Sequence, residues 1–68
     1  MRTLKHLIRL MRHAETKEAL YNYDNEFCRI ADAFLDGGIL TKEEFKRAHT
    51  KALCAYVTTN DRLTRRMA

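Results

Sequence analysis

Cys28, His49 and Cys54 are the residues whose types could do chemistry together, as ligands of a metal ion or as a thiol with an imidazole base. Their spacing argues against both. Neither a CxxC nor an HxxxH pair occurs, and a structural zinc site ordinarily takes four ligands. If two helices fold back on each other about Gly37–Gly38, positions whose numbers sum to about 77 meet across the seam. Cys28 then faces His49, while Cys54 lies about five residues further on, roughly 7 Å along the axis. That offset also disfavours a Cys28–Cys54 disulfide. With no signal-peptide pattern, both cysteines are expected as reduced, buried thiols, and His49 as a helix-face residue. A cysteine–histidine pair would also need an oxyanion hole, which nothing in the sequence supplies. The expectation is a non-enzymatic protein without catalytic, metal or cofactor sites.

The other residues with chemistry to offer are the cations. Thirteen Lys and Arg against nine Asp and Glu give a net charge of +4, distributed in a basic–acidic–basic order. The first thirteen positions hold Arg2, Lys5, Arg9 and Arg12 and no acid. Positions 14–36 carry Glu15, Glu18, Asp24, Glu26, Asp32 and Asp36 against Lys17 and Arg29, and the chain closes on Arg62, Arg65 and Arg66. Such an order lets the ends lie against the middle, within one chain or between two, although much surface charge only keeps a protein dissolved. The expected contact residues are Lys5, Arg9 and Arg12 on a cationic helix face and Arg62, Arg65 and Arg66 in the tail. The expected role is protein interaction with a partner whose identity stays open, together with self-association.

The alternative is a nucleic acid bound through its backbone without sequence specificity by the same cations. A helix–turn–helix reading fails on the third helix, which opens with Glu43 and Glu44 and would drive two acids against phosphate. A membrane surface is a weaker fit for the first helix, which is short, lacks Trp and needs its apolar residues for a core. Tyr21 and Tyr23 flank an acidic patch and read as helix-face tyrosines with wet hydroxyls.

The elements that must position these side chains are legible as helices. There is no Pro, the two Gly are adjacent, and Ala, Leu, Lys, Arg and Glu abound, a composition that favours helix throughout. Leu4, Leu7, Ile8, Met11 and Ala14 recur at helical spacing after Thr3, an acceptable cap. Leu20, Tyr23, Phe27, Ile30, Ala31 and Phe34 form a second stripe. It is rotated by very roughly 160° from the first, so the chain is expected to bend between Ala14 and Lys17, with Thr16 as cap. A third stripe reads Phe45, Ala48, His49, Ala52, Leu53, Tyr56 and Val57. Thr58, Thr59 and Asn60 weaken helix propensity beyond it, although Leu63 and Met67 continue the spacing.

Between the second and third stripes stands FLDGGILTKEEF. Gly37 or Gly38 can take the left-handed conformation that ends a helix. Thr41 and Glu44 form a capping box, and Leu40 with Phe45 a hydrophobic staple. The reading is an all-α, single 68-residue domain with helices over 4–14, 17–35 and 42–59 and a basic tail over 60–68. It is built on an antiparallel αα-hairpin, and its small core is expected to be supplemented by homodimerisation. No stretch is long and apolar enough to span a membrane, and a cytoplasmic setting is expected.

Two resemblances accompany these residues. LDGGILTKEEFKRAHTKAL resembles the short C-terminal helical module called SHOCT, which implies oligomerisation or peptide contact at most. The whole chain, from MRTLKHLIRLMRHAE to RRMA, is similar in style to small accessory proteins from the early region of lambdoid temperate phages. That likeness implies a regulator in the host cytoplasm that modulates host processes or the lysis–lysogeny choice through protein partners. Neither carries a site motif onto this chain.

Overall fold

The computed structural model describes residues 3–67, which form three α-helices: α1 over Leu4–Arg12, α2 over Lys17–Asp36 and α3 over Lys42–Met67. Among the described residues there is no strand. Arg2 and Ala68, at the ends of the two basic segments, lie outside the described residues, as does the side chain of Met67.

Each helix start is fixed by a threonine. The hydroxyls of Thr3 and Thr16 accept from the amides of His6 and Ala19, both at 3.1 Å, satisfying donors that a helix leaves free at its beginning. At α3 the box is reciprocal: the Glu44 amide donates to Thr41 Oγ1 at 3.2 Å, and the Thr41 amide donates to a Glu44 carboxylate oxygen at 3.0 Å. The Thr41 amide, and then the Thr41 side chain, hold the Glu44 carboxyl below its ordinary value, because hydrogen bonds to a carboxylate favour its charged form.

The end of α2 is set by Gly38, at φ 75°. Its amide donates to Leu35 O at 3.2 Å, and the Ile39 amide donates to Phe34 O at 2.8 Å, the paired bonds of a Schellman stop. Gly37 keeps a right-handed conformation, so of the two glycines only Gly38 requires the freedom that a missing Cβ gives.

The break between α1 and α2 falls at Arg12 to Thr16 with neither Gly nor Pro to mark it, and α1 stops at Arg12 rather than near 14. The reason is the mismatch of stripes: the turn lets Leu7, Ile8, Met11 and Ala14 be buried together with Leu20, Phe27 and Ala31, which a straight helix could not do. All three helices pack on one another around a core that includes Phe27, Leu7, Met11 and Leu20. His49 sits against two aromatic rings, edge-on to Phe27 at 5.7 Å between centroids and tilted on Phe45 at 4.6 Å.

α3 departs from the sequence reading in two ways. It continues past position 59 through Thr58, Thr59 and Asn60 to Met67, because Thr59 and Leu63 are buried and tertiary packing outweighs weak local propensity. Its buried strip is Ala52, Ala55, Thr59 and Leu63, whereas Leu53 and Val57 are 63% and 57% exposed. The apolar surface of α3 is wider than its partners can cover, and α1 takes one side of it. The radius of gyration is 12.4 Å, against about 11 Å for a compact chain of this length. The shape is a rod of 43 × 21 × 14 Å, with the long α3 as its spine.

Candidate functional site

The exposed face of α1 repeats cations at one-turn spacing: Lys5, Arg9 and Arg12, with His13 following. They border a shallow concavity between α1 and α3, floored by Ile8 and closed on the far side by Lys51 of α3. No acid lines it. Among the described residues, none of Lys5, Arg9, Arg12 and Lys51 makes an ion pair. The arrangement costs the helix something. Lys5 and Arg9 are like charges at i and i+4, and Lys5 lies at the helix end whose dipole repels a cation. Arg9 and Arg12 fall in the last turn, where the dipole welcomes them.

The tail arginines have a different fate. One Arg62 nitrogen donates to Arg12 O at 3.2 Å and to Ala14 O at 2.8 Å, so its side chain caps two carbonyls of the α1–α2 corner beyond those that the His13 and Ala14 amides engage. Arg66 pairs with Glu15 at 3.0 Å and Arg65 with Asp61 at 3.1 Å. Both pairs are well exposed and add little stability, but they neutralise the charge locally. The structure therefore gathers Lys5, Arg9 and Arg12 with Lys51, and engages Arg62, Arg65 and Arg66 elsewhere. Lys51 was not among the sequence candidates. Its only signal is its place on the strip Lys51, Ala55, Thr58 and Arg62, which becomes meaningful once α1 is seen to lie there.

The thiols and imidazole do not converge. Cys28 and His49 line one cleft between α2 and α3, together with Asp24, Ala52, Leu53 and Tyr56. Cys54 opens on the other side, beside Arg12 and Arg62. Both cysteines are free, but neither is fully buried as expected: Cys28 is half-buried and Cys54 is exposed. Burial, and then the nearby carboxylates of Asp24 and Asp32, push the Cys28 thiol up from its ordinary value, which suits a protonated, unreactive sulfur. Among the described residues, no group of three or more His, Cys, Asp or Glu is placed to hold a metal ion, and no helix is long and apolar enough to cross a membrane. Comparison with protein-family models, curated proteins and solved structures yields no match to this chain.

Proposed function

We propose that this chain is a non-enzymatic helical interaction protein, a regulator that holds an acidic segment of a protein partner on the cationic concavity between α1 and α3. The observation that carries the reading is the convergence of Lys5, Arg9, Arg12 and Lys51 around one hollow without an acid or an internal ion pair among the described residues. Elsewhere the same chain pairs Arg65 with Asp61 and Arg66 with Glu15. The likeness to phage accessory proteins is the ground for placing this role in a host cytoplasm, as a modulator of host processes. In the same reading α2 and α3 form an antiparallel αα-hairpin about Gly38. Support comes from early α2 positions lying beside late α3 positions, as Asp24 does beside Tyr56, while Phe27 contacts His49. The protein acts as a homodimer, since a core of this size is marginal for a lone chain.

The second reading, favoured by the same cations, is backbone contact with nucleic acid. One experiment separates the two. A glutamate-rich synthetic peptide and a random-sequence DNA duplex are titrated across a salt series. The protein reading expects peptide binding that a Lys5→Gln, Arg9→Gln, Arg12→Gln triple variant loses and an Arg65→Gln, Arg66→Gln variant keeps. Tight duplex binding with a log–log salt slope of about −0.9 per phosphate contacted, and no binding of the peptide, would replace it with the nucleic-acid reading.

A further inference from the structure

The side of the α2–α3 pair that faces away from α1 is apolar and bare. Tyr21, Asp24 and Cys28 succeed one another at i, i+3 and i+7 on α2, and Leu53 and Val57 at i and i+4 on α3, so each set shares a stripe. Asp24, Cys28 and Leu53 line the same cleft, to which α1 contributes nothing. Tyr21 is 58% exposed, and Leu53 and Val57 are similarly open. These are three of the four large hydrophobic residues that the described part of the chain leaves exposed, the fourth being Ile39 beside the turn.

We propose that this bare face is where a second copy of the chain docks, α2 of one copy lying on α3 of the other. The proposal rests on the self-association reading above and assigns it a surface. Charge selects the occupant. Toward the Gly38 end, the α2 edge of the face carries Asp32, one turn on from Cys28, and the α3 edge carries Lys42 and Lys46, which precede Leu53 on its own side of the helix. Among the described residues none of these three has an ion-pair partner. A twofold axis along the helices sets Asp32 of one copy, with Arg29 beside it on the α2 edge, against Lys42 and Lys46 of the other, twice, at the same height. A foreign acidic or basic helix would match one edge and be repelled by the other. The face carries both halves of the pattern, so its own copy matches it.

Sedimentation velocity over a wide concentration range tests this. The expected result is a concentration-dependent dimer that Leu53→Glu abolishes. Because Leu53 is exposed and Glu is a good helix former, that variant keeps the helical circular dichroism of the parent. Asp32→Lys and Lys46→Glu should each weaken the dimer about tenfold, and the double variant should regain most of the loss. A dimer indifferent to Leu53→Glu and to the swaps would overturn this surface and leave self-association standing. A protein monomeric at every concentration would overturn both and hand the face to a foreign partner.

Discussion

The two sides of the α2–α3 pair are made from similar residues and reach opposite conditions. On one side α1 and the corner after it bring Leu7, Ile8, Met11 and Ala14 down onto the pair, and all four are buried. On the other side Tyr21, Leu53 and Val57 stay more than half exposed. Large apolar side chains occur on both sides, and the bare side adds Asp24, Asp32, Lys42 and Lys46 at its edges. What covers the first side is a nine-residue helix, together with the arginine that ties down its end. A broad amphipathic helix has no fixed interior, and its inside is whichever flank another element reaches.

The sharpest way to break this contrast is to truncate one leucine on each side. Leu7→Ala should cost about 2–5 kcal/mol, against a total of about 3–10 kcal/mol for a domain of this size, and leave much of the protein unfolded. Leu53→Ala, measured at concentrations where the protein is monomeric, should fall within about 0.5 kcal/mol of the parent. Equal losses in a denaturant titration would erase the difference between the sides.

Arg62→Ala comes next, at about 1–2 kcal/mol, since charge-assisted hydrogen bonds to two carbonyls are lost at a partly exposed site. Amide exchange should speed up first in α1 and at the corner, with the bare side unaffected. Uniform loss across all helices would show that the clasp is not specific to the covered side.

The turn belongs to neither side, so damage there should lower both together. Gly38→Ala should cost about 1–2 kcal/mol for the left-handed backbone it imposes on a Cβ. Gly37→Ala should cost less: its φ is ordinary, and its added Cβ meets only Ala33 O, at 3.2 Å. The reverse order would move the stop from Gly38 to Gly37.

Acid gives the smallest effect. The Glu44 carboxyl is more acidic folded than unfolded, so its ionisation favours the fold. That contribution is complete at neutral pH and above, and disappears as pH falls through the unfolded and then the folded value. Glu44→Gln should flatten this part of the pH dependence, and an unchanged acid limb would remove Glu44 from it.

What the sequence made legible was local. The Thr3, Thr16 and Thr41 caps, the glycine stop and the stripe of α1 each follow from residues within a turn or two of one another. The length of α3 was legible only as an alternative: Leu63 and Met67 keep the helical spacing, but Thr58, Thr59 and Asn60 speak against helix until Thr59 and Leu63 find cover from elsewhere. The burial of Ala55 in place of Leu53 depends on where α1 lands, which periodicity in α3 cannot encode. For the candidate site, Lys5, Arg9 and Arg12 were readable as one face, while Lys51 joins them only through the fold. Arg62 looked like a spare cation because its acceptors are carbonyls fifty and forty-eight positions away.

That separation gives Arg62 a place in time as well as in space. On a ribosome, the carbonyls of Arg12 and Ala14 are made long before the guanidinium that caps them. Until that part of α3 emerges, those two carbonyls lack the side chain that caps them. α1 is fastened by a residue that follows its own last position by fifty.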